Sequence, residues 1–357
     1  VSDLHSVEEI HTLEPGGIAL GISFSPDEAL IAAGGGDTIT LWDADSGREI
    51  NKFVAHATWI YSVPFSPDGT RIASCGDDKV IRLWDARSGK KIATFTGHSQ
   101  RVMSVAFSPD GSRLASASHD TTVKLWDVRS CQQATTLRGH TREISSITFS
   151  PYGSRIASGS NDRSIKLWDA NSGTEIQTFT GHGHVITCVA FSPDGQQLAV
   201  ACDDRTIHLW PAKPDHEVTT LTGHTNTVRR VTFSLDGKRI YSDAANEKFV
   251  WDAASGNRLE NIDWDPPSEQ KQVSPDGRWF VTRELNHVLL VDGEYRNTPD
   301  EKAYRAAKAR FDPTWHQEQA TAAITAKNWF AATFHVGFRK TNPTGQAALL
   351  ALPPYSE

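Results

Sequence analysis

His98, Ser116 and Asp120 are the residue types of a nucleophilic hydrolase. A hydroxyl would attack, an imidazole would take its proton, and a carboxylate would orient the imidazole. The set is not unique, however. His56, Ser74 and Asp78 repeat it, and His140, Ser158 and Asp162 repeat it again at the same spacing. A hydrolase needs one cleft, and no Gly-x-Ser-x-Gly elbow accompanies any copy. The run "GGGD" at Gly34–Asp37 is glycine-rich enough for a phosphate loop, but no Gly-Lys-Ser/Thr follows it, and it reads as a turn. The 14 histidines show no metal-ligand spacing outside the repeated set. Cys75, Cys131, Cys188 and Cys202 suit neither a zinc site nor a dense disulfide framework, and four reduced thiols in a cytoplasmic protein is the expectation. No catalytic residue, metal or cofactor is therefore expected.

The spacing of these residues points to the elements that carry them. Trp-Asp begins at Trp42, Trp84, Trp126 and Trp168, each 42 residues after the last, and Trp210-Pro211 continues the step. Trp251-Asp252 follows, and Val291-Asp292 comes next with the indole lost. Turn sequences of the Ser-Pro-Asp-Gly kind start at Ser25, Ser66, Ser108, Ser150, Ser192, Ser234 and Ser274. Proline presets φ at the second turn position and glycine supplies the left-handed exit. A third signal is Gly-His, at His98, His140, His182 and His224, with Ala-His at His56. Between these marks lie short alternating runs such as "RLASAS" and "TVKLW", which read as strands. Periodicity on this scale is the mark of a repeat architecture.

The three registered signals resemble the WD40-repeat family over residues 4–296. The resemblance implies an all-β fold, a seven-bladed β-propeller of four-stranded blades. It implies that each repeat supplies the outer strand of one blade and the inner strands of the next. The run "EEIHTL" at Glu8–Leu13 matches the outer-strand runs "TEIQTF" and "HEVTTL", so the N-terminal strand is expected to close the ring. Closure removes sheet edges that invite aggregation.

The resemblance also implies a buried hydrogen-bonded tetrad in each full blade. These are His56, Ser74, Asp78 and Trp84; His98, Ser116, Asp120 and Trp126; and His140, Ser158, Asp162 and Trp168. His182, Asp204 and Trp210 lack the hydroxyl, with Val200 in its place, and His224, Ser242 and Trp251 lack a clear aspartate. A buried carboxylate is costly unless donors satisfy it, and an indole fills space while donating one N–H. The acid of each Trp-Asp pair is expected to hold the turn after its strand.

Propellers of this kind often bind partners on the face around the central channel. The resemblance carries that role to positions three and five after His56, His98, His140 and His224 and to the residue before the tetrad acid. Those positions hold Trp59, Tyr61, Arg101, Met103, Glu143, Ser145, Thr227 and Arg229, with Asp77, His119, Asn161 and Asp203 before the acids. Trp, Tyr and Arg are enriched at interface hot spots, and methionine adapts to varied surfaces.

From Thr298 the pattern turns helical. "TPDEKAYRAAKAR" offers an N-cap, a proline at the first helical position and acids in the first turn. A small α-helical extension is expected over 298–352, packed on the propeller and similar to the tetratricopeptide-like segments that trail propellers in some bacterial proteins. Net charge is −7, and no Lys/Arg cluster offsets it, so no nucleic-acid partner is expected. No apolar run approaches the ~18 residues of a membrane span, and "VSDLHSVEEI" lacks the regions of a signal peptide. The chain begins without methionine, as a processed chain or a piece of a longer one would. The expectation is a monomeric, cytoplasmic, non-catalytic scaffold for a protein or peptide partner. The alternative is the sensor or regulatory domain of a larger Ser/Thr kinase or NTPase.

Overall fold

In a computed structural model of the chain, the strands whose indoles mark the repeat lie at the centre of stacked sheets. The structure describes residues 9–212, 218–234, 236–244, 247–259, 271–273, 279–284 and 287–292, the side chains from Leu13 to Leu259 only. The chain divides into two units, Val1–Glu294 and Tyr295–Glu357, and only the first holds described residues. The expected helices at 298–352 lie outside them.

The third blade shows how a repeat folds. Its antiparallel strands, from the channel outward, are Val102–Phe107, Arg113–Ser118, Thr122–Asp127 and Gln132–Arg138. The two middle strands are buried on both faces because blades stack on either side of them, while the outer strand is largely exposed. Small residues suit that stacking. A Cβ added to Gly159 on the fourth blade would lie 2.5 Å from Ile186 of the fifth.

The hydrophobic core therefore lies between blades. Val123, Leu125 and Leu137 of the third blade pack with Ile144, Ile147, Phe149 and Trp168 of the fourth. Each such side chain, fully buried, stabilises the fold by about 1.5–3 kcal/mol. Polar ties add to this: Arg113 of the third blade donates to Ala170 O (2.5 Å) and Gly153 O (3.2 Å) of the fourth.

Six blades carry the repeat with its side chains, against the seven expected. Their inner strands are Ala19–Phe24, Ile60–Ser62, Val102–Phe107, Ile144–Phe149, Ile186–Phe191 and Arg230–Phe233. The remaining sequence unit has lost its indole at Val291, so it lacks the ring that Trp42, Trp84, Trp126, Trp168, Trp210 and Trp251 give the other six. Its backbone forms a further sheet in the order Glu9–Leu13, His287–Asp292, Trp279–Glu284 and Lys271–Val273.

The inner strands carry a regular irregularity. In the third blade Val102 pairs with Ser118 and Ser104 with Ala117, so Met103 is left as the extra residue of a β-bulge. The same shift falls at Tyr61, Ser145 and Thr187. A bulge re-aims the side chain it carries. Here it turns these four residues toward the central channel.

Candidate functional site

In the second, third and fourth blades the tetrads are joined end to end. His98 Nδ1 lies 2.7 Å from Asp120 Oδ2, His98 Nε2 lies 2.7 Å from Ser116 Oγ, and Trp126 Nε1 lies 2.8 Å from the same oxygen. The fourth blade has 2.8, 2.7 and 2.9 Å for His140, Asp162, Ser158 and Trp168. The second has 2.8, 2.6 and 2.8 Å for His56, Asp78, Ser74 and Trp84. The proton positions follow from the groups. An indole N–H only donates and a carboxylate only accepts, so in the third and fourth blades His Nδ1–H donates to the acid and Ser Oγ–H donates to His Nε2, while in the second Arg82 Nη1 also lies 2.6 Å from His56 Nδ1. Burial opposes the charge on Asp78, yet bonds from His56 and Arg82 outweigh it and hold the carboxyl down at about 2. Asp120 and Asp162 are likewise held well below the usual range against burial, by His98 with Thr122 and by His140 with Ser164.

This arrangement copies a hydrolase triad in its bonds but not in its access. Ser74, Ser116 and Ser158 are 0% exposed, and the indole N–H occupies the oxygen that would attack. No carbonyl can reach them, and the three sets act as internal struts.

The sixth blade has no aspartate in its set, as expected, but it is not without an acid. Glu247 takes that place, 3.2 Å from His224 Nδ1, with Ser242 bridging His224 Nε2 (2.7 Å) and Trp251 Nε1 (2.8 Å). The acid stands 23 residues from its histidine instead of 22, and the longer side chain covers the shift. Each Trp-Asp acid holds the following turn, as expected. Asp127 Oδ1, for example, accepts from Ser130 N and Ser130 Oγ, both at 2.6 Å.

The residues expected at a partner-facing surface fall into three groups. Tyr61, Met103, Ser145 and Arg229 line the central channel, a space of about 480 Å³ walled by the inner strands. Trp59, Asp77, Arg101, His119, Glu143 and Asn161 lie on the loops around it. One backbone bond repeats from the second blade to the fifth and sets these loops side by side. Asp77 N–H donates to Trp59 O (3.0 Å), His119 N–H to Arg101 O (3.0 Å), and Asn161 N–H to Glu143 O (2.8 Å). Gly76 permits the first of these approaches, since a Cβ there would sit 2.0 Å from Trp59 O.

Side chains join this group across blades. Tyr61 OH donates to Asp77 Oδ1 (2.8 Å), Arg101 Nη1 reaches Tyr61 OH (3.5 Å) and Asp77 Oδ1 (3.8 Å), and Arg101 Nε donates to His119 Nδ1 (3.1 Å). Since a guanidinium only donates, His119 Nδ1 must be unprotonated. Burial first, and Arg101 second, hold its imidazole below the usual range. Asn161 Nδ2 lies 3.5 Å from Glu143 Oε2. Trp59 beside this seam is 42% exposed. Asp203 and Thr227 form the third group, a separate pair at 2.6 Å between the fifth and sixth blades.

The sequence pattern missed Glu247, and it missed Arg82 as a second support of Asp78 at 2.5 Å. A carboxylate or guanidinium within four residues of the Trp strand was the signal available for both. Among the described residues no group of His, Cys, Asp and Glu is arranged to hold a metal ion.

Comparison with known proteins agrees with this geometry. The WD domain, G-beta repeat family matches residues 8–43, 47–85, 89–127, 131–169, 173–211 and 216–246. The mouse (Mus musculus) WD repeat and SOCS box-containing protein 1 is 36% identical over 61 residues, 16% of this chain. That stretch spans 14% of the relative's own length.

Proposed function

The chain belongs to the WD40 repeat family, and on that footing we propose that its propeller is a non-catalytic scaffold that captures a protein or peptide partner on the face around the channel. Propellers of this family generally serve as protein-interaction platforms, which supports the reading. The observation that carries it is the seam from Tyr61 through Asp77 and Arg101 to His119, with Trp59 exposed beside it. It supplies a fixed aromatic and charged surface, the chemistry of interface hot spots.

We read the sheet that pairs Leu13 with Val288 and Glu9 with Val291 as a seventh blade closing the ring. Removal of residues 1–13 is then expected to lower the melting temperature. Four unpaired thiols support a reducing, cytoplasmic setting, and the scaffold is read as acting as a single copy. No observation favours a regulatory domain of a larger kinase or NTPase.

The test is affinity capture with the wild-type chain and a Trp59→Ala/Tyr61→Ala variant. Loss of the captured partner at an unchanged melting temperature supports the reading. Equal capture by both proteins overturns it.

A further inference from the structure

In four consecutive blades the residue after the tetrad acid sits on left-handed backbone without being glycine. These are Lys79 (φ 68°), Thr121 (69°), Arg163 (68°) and Arg205 (71°). An L side chain costs about 1–2 kcal/mol there, and glycine would make the same turn without it. Strain of this kind points to a use for the side chain. Arg163 and Arg205 are exposed, and neither guanidinium makes a hydrogen bond or salt bridge among the described residues.

Hydrogen bonds set a second basic side chain beside each. Arg163 N–H donates to Ser160 O (3.1 Å), and Ser160 Oγ donates to Arg142 O (3.2 Å) and Glu143 O (2.8 Å). Exposed Arg142 and Arg163 thus rise from segments tied to one serine. The fifth blade repeats the placement. Arg205 N–H donates to Cys202 O (3.3 Å) and Asp203 N–H to Val185 O (3.0 Å), next to exposed His184.

The acids nearby are largely committed. Asp162 accepts from His140, Thr141 and Ser164, Asp204 from Thr206, and Asp203 from Thr227. Glu143 faces Arg142 and accepts from Asn161. Three arginines on adjacent blades stand beside two carboxylates that are only partly engaged, Glu143 and Asp203. The chain as a whole is at −7, so these cations stand against the general field.

We propose that the rim over the fourth and fifth blades docks an Asp/Glu-rich segment of the partner, with Arg142, Arg163 and Arg205 taking its carboxylates. This rests on the reading of the face as a partner surface and specifies the partner's chemistry there. A nucleic acid fits less well. Glu143 and Asp203 interrupt the cations, and the net negative charge repels a long polyanion.

The experiment measures anisotropy of fluorescein-labelled decapeptides with the full chain. One is built of Glu and Asp, one of Gly and Ser, and a single-stranded oligonucleotide is the third probe. The acidic peptide is expected to bind at least about ten-fold tighter than the neutral one, and added salt should weaken it. An Arg163→Gly/Arg205→Gly variant should lose about ten-fold in affinity with a melting temperature equal or higher, because glycine relieves both turns. Equal binding of the acidic and neutral peptides, tighter binding of the oligonucleotide, or full affinity in the variant would each overturn the proposal. Capture that depends on Trp59 and Tyr61 can survive all three, so the two readings fail separately.

Discussion

Val200 stands opposite Val189 in the fifth blade at the register position where Ser116 stands opposite Val105 in the third. Both ring nitrogens of buried His182 and Nε1 of Trp210 are without a hydrogen-bond partner. Val200 supplies a methyl where the second, third, fourth and sixth blades present a hydroxyl. Burial, with His208 at 4.8 Å between ring centroids, pushes the His182 imidazole down to about 4.

Val200→Thr is therefore expected to stabilise the protein. The hydroxyl would satisfy two orphaned groups, each costing roughly 1–3 kcal/mol, while one methyl of the valine is kept. A net gain of about 1 kcal/mol is expected after the hydroxyl's own desolvation. Chemical denaturation with both proteins checks it, and a loss of stability would show that the orphaned nitrogens are not the weak point.

Ser116→Ala should do the opposite in the third blade. It strips His98 Nε2 and Trp126 Nε1 of their partner inside a buried layer. The expected cost is about 2–4 kcal/mol, read from the denaturation midpoint at constant slope.

Acid should destabilise the protein in two steps. His182, His208 and His224 are all held below the usual imidazole range, burial being the first cause in each. The unfolded chain takes up protons near pH 6.5 that the folded chain refuses, so stability falls as pH drops from there toward 4. The depressed Asp78, Asp120 and Asp162 contribute stability above about pH 4 and lose it as pH falls through their lower folded values. His182→Gln should flatten the first limb and leave the second. Melting temperatures from pH 7 to 3 would show it.

Thr121→Gly should raise stability by about 0.5–1 kcal/mol, since a β-branched residue there holds φ at 69°. Thermal melts of this single variant decide the sign.

Much of this was legible in the sequence, for a physical reason. His98, Ser116, Asp120 and Trp126 serve one hydrogen-bond circuit, and a circuit fixes both type and interval. Glu247 escaped because its blade is one residue shorter and a longer acid reaches back, which a search for aspartate at a fixed interval cannot see. Tyr61 and Met103 were found by position, but the bulge that turns them to the channel has no signature in their side chains. Six full blades stand where seven were expected because spacing persists near Val291 after the indole has gone. The contact of Arg101 with Tyr61 joins residues 40 apart on neighbouring blades, and only the stacked fold sets that distance.

The most direct test compares two variants in one pair of assays, melting temperature and partner capture. Ser116→Ala should lower the melting temperature and, below it, capture partner as the wild type does. Trp59→Ala/Tyr61→Ala should melt as the wild type does and capture nothing. If the serine variant loses capture while folded, or the aromatic variant loses stability while capture persists, the division between inner struts and docking face is wrong.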